Sequence, residues 1–243
     1  MTPKPSTPEP YVAGFACLVG RPNAGKSTLT NALVGDKVAI TSAKPQTTRH
    51  TIRGIVSGPV SQLILVDTPG LHKARTLLGE RLNDLVRATL LDVDVVGFCM
   101  PADQRIGPGD RFIAAELSEL MAAKKLPVVA IATKSDLVDK KRLAEHLIAI
   151  DQLADWAAIV PCSARRGDQV DDVLKVLTSY LPEAPGPLYP EDVLTDEESD
   201  TRIAELVREA ALEGVRDELP HSLAVVVEEI TPREDQPEGR PML

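Results

Sequence analysis

Between residues 11 and 181 the chain alternates short apolar runs with longer amphipathic stretches. The apolar runs fall at 14–19, 51–56, 62–66, 93–99, 128–132 and 158–162. Several are continuous rather than alternating, as expected of strands buried on both faces. Helical spacing occupies 26–34, 77–91, 110–123, 140–154 and 170–180. This order predicts an α/β fold, a doubly wound and mostly parallel sheet with helices on both faces. Ligands of such sheets bind at the carboxyl ends of the strands.

The alternation stops after residue 181. Pro182, Pro185, Pro187 and Pro190 cannot continue a helix, so 182–200 reads as an interdomain linker. Residues 201–212 regain helical spacing through Ile203, Leu206, Val207 and Ala210, and 221–230 reads as a strand with Leu223, Val225 and Val227 on one face. One helix and one strand do not close a stable domain. Residues 1–10 read as a flexible tail and 231–243, Pro-rich and charged, as disordered.

Composition narrows the picture. The hydrophobic share is 43% but aromatics are only 3%, so Val, Leu, Ile and Ala must build the core. No apolar run approaches the length of a membrane span. Cys17, Cys99 and Cys162 each lie in an apolar run without metal-ligand spacing, which suggests inert, reduced thiols and a cytoplasmic setting. The net charge of −9 is uneven. Residues 183–243 hold 17 acidic and 5 basic side chains, a net of −12, against +3 for the rest. An acidic end is unlike a nucleic-acid-binding surface.

The decisive motif is Gly20-Arg21-Pro22-Asn23-Ala24-Gly25-Lys26-Ser27, with the G-x-x-x-x-G-K-[ST] spacing of a phosphate-binding loop. A strand candidate leads in, and Lys26, Ser27 and Thr28 open a helix. Strand, glycine loop and helix N-terminus aim backbone N–H groups and a positive dipole end at one spot. Lys26 is placed to reach the β- and γ-phosphates, and the Ser27 hydroxyl to ligate Mg²⁺. Asp67-Thr68-Pro69-Gly70 follows the third apolar run: Asp67 suits Mg²⁺, through water, and the Gly70 N–H suits a γ-phosphate.

Thr133-Lys134-Ser135-Asp136 ends the fifth run. A carboxylate accepts from both N1–H and the exocyclic amine of guanine, and adenine lacks that donor pair, so Asp136 points to guanine. The Lys134 stem is suited to pack over the base. Ser163-Ala164-Arg165 follows the sixth run, and the Ser163 and Ala164 N–H groups are candidate donors to guanine O6.

Together these elements resemble the TRAFAC class of P-loop GTPases. The resemblance implies GTP or GDP as ligand and makes 46–50 the segment containing the switch threonine. By it, Thr48 ligates Mg²⁺ when the γ-phosphate is present, with Thr47 the weaker choice. Thr133 stands where the class has an Asn that braces the phosphate loop, so that brace is expected to be lost. Further matches resemble the Era family: Ile40-Thr41-Ser42 with Pro45-Gln46-Thr47-Thr48-Arg49-His50, the linker Leu181 to Asp196, and Glu218-Leu219-Pro220-His221-Ser222 before an apolar run. The similarity spans about residues 12–230.

It implies a GTPase domain over 11–181, followed from 201 by the start of a KH-like α+β domain. It also implies a switch acting in small ribosomal subunit assembly, with small-subunit ribosomal RNA as partner. A monomeric, cytoplasmic protein, with peripheral membrane association as an option, is the family expectation. A KH domain grips RNA through a Gly-x-x-Gly loop. After Gly214 the sequence has only Gly239, so that loop is missing and the KH domain is expected to be incomplete. This sustains a second reading, a nucleotide-dependent interaction module with no RNA binding of its own. A P-loop kinase or ATPase is disfavoured by Asp136, and a tRNA-modifying relative would need further domains. Leu71 follows Gly70 where Ras-like proteins place a water-positioning Gln, so intrinsic hydrolysis is expected to be slow. By the same resemblance Asn23 is a candidate K⁺ ligand that assists it. Residues 35–50 and 71–79 are expected to be mobile without γ-phosphate.

Overall fold

The computed structural model describes residues 10–41, 52–71, 77–214 and 223–229. The switch segment 46–50 with Thr47 and Thr48, the tail 1–9 and residues 231–243 therefore lie outside the described residues.

Six strands form one sheet: β1 (Val12–Gly20), β2 (Ile52–Ser57), β3 (Ser61–Asp67), β4 (Val95–Pro101), β5 (Val128–Thr133) and β6 (Ala158–Pro161). Their order is β2-β3-β1-β4-β5-β6, with β2 antiparallel to β3 and every other pair parallel. The helices are α1 (Lys26–Val34), α2 (Leu77–Leu91), α3 (Pro108–Lys124), α4 (Lys140–Asp151), α5 (Val170–Thr178) and α6 (Ser199–Gly214). The doubly wound, mostly parallel expectation holds, and element ends differ from the sequence reading by a few residues.

The reason lies in burial on both faces. All seven residues of β4 and all six of β5 are buried. Alternate side chains feed two aliphatic clusters, one on each face of the sheet. Leu18, Leu65, Cys99 and Ile131 belong to one, shared with Leu29 of α1 and Val173 and Leu177 of α5. Cys17, Val96, Phe98 and Ala130 belong to the other, with Val86 of α2 and Ile113 and Leu117 of α3. Phe98 and Trp156 stack at 5.7 Å in a tilted arrangement, a rare aromatic pair in an aliphatic core.

β1 lies between β3 and β4, so successive crossovers leave it in opposite directions. The crevice beyond its carboxyl end is the topological switch point, where such sheets take ligands. The phosphate-loop motif starts there.

The chain divides into two compact units, residues 1–197 and 198–243. The proline-rich segment is a strap on the first unit rather than a loose connection. Ile55 donates its N–H to Leu194 O at 2.9 Å, and Gly54 bridges Thr195. The buried Gln62 amide accepts from Leu188 and Tyr189 N–H at 2.7 and 2.9 Å and donates to Tyr189 O at 2.9 Å. Arg53 pairs with Asp196 at 2.8 Å. Proline excludes helix but leaves carbonyls and neighbouring N–H groups free to pair with a sheet edge. In the second unit α6 extends past both predicted ends. The strand expected over 221–230 is not observed at 223–229, which form no ladder. An alternating apolar segment becomes a strand only when a neighbour accepts its hydrogen bonds, and no such neighbour is present among the described residues.

Candidate functional site

The loop from Gly20 to Gly25 leaves β1 at the switch point and turns directly into α1. Gly25 holds φ at 90°, the left-handed region open to glycine, which lets the loop fold back before Lys26. Asn23 also has a positive φ of 62°. Asn tolerates that conformation better than most side chains, so turn geometry by itself accounts for its presence. The loop closes with Ala24 N–H on Arg21 O at 3.2 Å. No side chain caps α1 and no acidic residue occupies its first turn, which leaves its positive end available to an anion.

Lys26 is almost buried at 6% exposure, and its Nζ donates to Gly20 O at 3.3 Å and Arg21 O at 3.2 Å. Burial lowers its pKa, and the nearby Asp67 carboxylate opposes that shift. Asp67 ends β3, fully buried. The next residue, Thr68, ties the two strand ends together, its hydroxyl donating to Leu18 O at 2.9 Å. Gly70 then packs against the phosphate loop: a Cβ there would lie 2.7 Å from Pro22 N and 2.9 Å from Pro22 Cα, so only glycine fits. Leu71 N–H donates to Gly20 O at 3.1 Å, and its side chain is buried beside Val86 and Phe98. The phosphate loop and the Asp67–Gly70 element are thus one packed unit.

From the other side, β5 delivers Thr133. Its hydroxyl donates to Ala24 O at 2.6 Å, buried within the protein. The expected loss of the brace is corrected here. A β-branched hydroxyl on a strand end reaches the loop carbonyl, so the shorter side chain makes the contact. Lys134 takes the left-handed conformation, with φ 58°, which turns the chain sharply into Ser135-Asp136. Its Nζ lies 3.9 Å from Asp103. Asp136 accepts from the Ser163 hydroxyl at 2.6 Å, which orients the carboxylate. Ser163 N–H, a candidate donor to guanine O6, already donates to Asp168 O at 2.9 Å. Of the two backbone donors expected in that loop, Ser163 is thus already engaged.

Ala164 also lines a recess of about 480 Å³ with Thr28, Asn31, Ala32, Gly35, Asp36, Lys37 and Thr41. Asn31 shapes its wall. Its amide oxygen accepts from Val38 and Ala39 N–H at 3.0 and 2.8 Å, and its nitrogen donates to Ala39 O at 2.7 Å. Sequence reasoning passed over Asn31, Asp103, Gln104 and Asp110. None carries a motif, and except for Asn31 their contacts to the site lie tens of residues away.

The donor set fits a hard divalent cation. Ser27 offers a hydroxyl and Asp67 a carboxylate, both oxygen ligands of the kind Mg²⁺ prefers. Thr48, the third candidate ligand, lies outside the described residues. The three cysteines are all buried, Cys17 in β1, Cys99 in β4 and Cys162 just past β6. Burial pushes Cys17 and Cys162 up to about 12 and Cys99 higher still, so they are inert thiols.

Comparison with known proteins agrees with this geometry. The family described as 50S ribosome-binding GTPase matches residues 15–134. The GTPase Era of Streptomyces coelicolor is 67% identical over 236 residues, covering 95% of this chain and 73% of that protein. The GTPase Era of Mycobacterium avium is 63% identical over 228 residues, covering 93% and 75%. Among solved structures, Era in complex with MgGDPNP and nucleotides 1506–1542 of 16S ribosomal RNA superposes with a TM-score of 0.83 at 34% identity, covering 92% of this chain and 74% of that one. A variant of Aquifex aeolicus Era bound to GDP and aluminium fluoride gives 0.81, also at 34% identity. A phosphate-loop motif at the switch point, packed against the Asp67–Gly70 element and braced by Thr133, in a chain this similar to Era proteins, has one reading: the chain belongs to the Era family and is a guanine-nucleotide-binding GTPase.

Proposed function

We propose that this chain is the nucleotide switch of an Era-type factor for small ribosomal subunit assembly. In it Lys26, the loop N–H groups and Gly70 hold the phosphates and Asp136 reads guanine. The observation that carries the reading is the Thr133–Ala24 hydrogen bond beside the Ser163–Asp136 pair. It joins the element that reads the base to the element that holds the phosphates.

In this scheme the Lys26 ammonium leaves the Gly20 and Arg21 carbonyls for the β- and γ-phosphate oxygens. Those anions replace weak acceptors, and burial makes the exchange favourable. Ser27, Asp67 and Thr48 would hold Mg²⁺, which when bound neutralises charge on the β- and γ-oxygens. Leu71, buried and without a polar group, cannot orient water, so intrinsic hydrolysis is slow. Asn23 would ligate K⁺ at the phosphates in place of an arginine finger. Equal rates in K⁺ and Na⁺ would remove that role.

The partner suggested by the Era complex with 16S ribosomal RNA is small-subunit ribosomal RNA. The reading without RNA binding draws only on the acidic balance of residues 183–243, and the similarity to Era in complex with 16S ribosomal RNA does not favour it. A monomeric, cytoplasmic protein, with peripheral membrane association as an option, is part of the same proposal. Fluorescent GDP bound to this chain should be displaced by GTP and not by a hundredfold excess of ATP. Displacement by ATP would refute guanine reading. The GDPNP-loaded chain should bind the terminal segment of 16S ribosomal RNA, and the GDP-loaded chain should not. Failure of both to bind would place RNA recognition outside these residues.

A further inference from the structure

Arg21, the second residue of the phosphate loop, points away from the crevice and into the start of α3. Its Nε donates to Asp110 Oδ1 at 2.7 Å and its Nη2 to Gln104 Oε1 at 3.1 Å. Asp110 is only 1% exposed, and its other oxygen accepts the Gly107 N–H at 2.8 Å, closing the first turn of α3. The carboxylate is therefore held by the Gly107 N–H as well as by Arg21. Pro108 at the helix start adds rigidity, because its φ is preset.

The path of the arginine is also built. Gly109 lies under the side chain: a Cβ there would sit 2.7 Å from Arg21 Cδ and 3.3 Å from Cγ. A Cβ at 109 forces the Arg21 side chain off this path. At the other end of the same residue, the Arg21 carbonyl accepts from Ala24 N–H and from Lys26 Nζ, both at 3.2 Å. One residue thus joins a rigid helix start to the carbonyl on which the loop closes and the lysine rests.

The segment between β4 and α3 reaches the base side as well. Ala102 N–H donates to Thr133 O at 2.8 Å, and Asp103 faces Lys134. Gln104 of the same segment, with Asp110 in the first turn of α3, holds Arg21 on the phosphate side. The segment therefore spans the two halves of the nucleotide site.

We propose that Arg21 is a positioning residue: clasped by Asp110 and Gln104 over Gly109, it sets the phosphate loop so that bound guanine nucleotide is retained. Its side chain acts through the main-chain carbonyl of the same residue and the loop that carbonyl closes. The proposal rests on the nucleotide-binding reading above, so the test starts with the unaltered chain. If that chain fails to bind fluorescent GDP, the binding reading fails and the clasp falls with it.

With binding established, stopped-flow release of fluorescent GDP is measured for Arg21→Ala, Gly109→Ala and the double variant. Each single change is expected to speed release about tenfold, the effect of a disrupted contact of ordinary coupling strength. In the double variant Gly109→Ala should add less than about twofold, because the side chain it displaces is gone. The KM for GTP should rise with little change in kcat. Glu116→Gln, on α3 but paired with Arg87, should release GDP at the unaltered rate. Release within twofold of the unaltered chain for both single variants would overturn the proposal. So would full additivity in the double variant, which would mark general destabilisation of α3. Should Arg21→Ala fail to fold, Gln104→Leu and Gly109→Ala carry the same test, since each loosens the clasp and keeps the charges.

Discussion

Thr133→Val is the sharpest probe of the site. The substitution keeps shape and volume and removes only the hydroxyl. That hydroxyl donates to Ala24 O at 2.6 Å, with Thr133 3% exposed. Without it a buried carbonyl of the phosphate loop loses its partner, which costs about 1–3 kcal/mol. The loop relieves that cost by shifting toward solvent, and the shift opposes the bound phosphates. If the whole cost falls on the nucleotide complex, GDP dissociates about 5- to 150-fold faster, at about 1.4 kcal/mol per factor of ten. Thr133→Ser, which restores the donor, should return release to within about threefold of the starting rate. Stopped-flow release of fluorescent GDP into excess GDP reads both. Unchanged release in the valine variant, with an unchanged melting temperature, would refute the brace.

Asp136→Asn replaces an acceptor-only carboxylate by an amide that presents a donor, so GTP affinity should fall about 10- to 100-fold without gain of ATP, read by competition binding. Equal affinity would mean the base is read elsewhere. Gln62→Leu strands the N–H groups of Leu188 and Tyr189, and hydrogen exchange at those amides should accelerate more than tenfold while the β4 and β5 amides stay protected. Unaltered exchange there would mean the strap does not depend on this clip. For the cysteines, a raised pKa means the thiol form persists at pH 8. Thiol reagent should therefore label none of the three in the folded protein over an hour, and all three in denaturant. Labelling before unfolding would show that the sheet opens locally.

What the sequence determined was local. A run such as Val128 to Ala132 has no polar position, so it must lie inside a sheet covered on both faces, and the helices between such runs supply the cover. Gly20 to Ser27 is recognisable because the spacing of glycines, lysine and hydroxyl is itself the geometry that cradles an anion. Asp67, Gly70 and Asp136 are legible for the same reason: each lies at, or within three residues of, the end of a strand, and so at the carboxyl edge of the sheet. Tertiary structure decided the rest. Thr133 read as a lost brace, because nothing in the sequence tells how far a hydroxyl at the end of β5 lies from Ala24, 109 positions away. Ser163 orients Asp136, Asp110 clasps Arg21, and Gln62 pins the proline-rich strap, and all three are contacts between distant segments. Periodicity and motif describe the chain along its own length, but a hydrogen bond between strands depends on register and strand order. Those are settled only when the whole sheet assembles around its core.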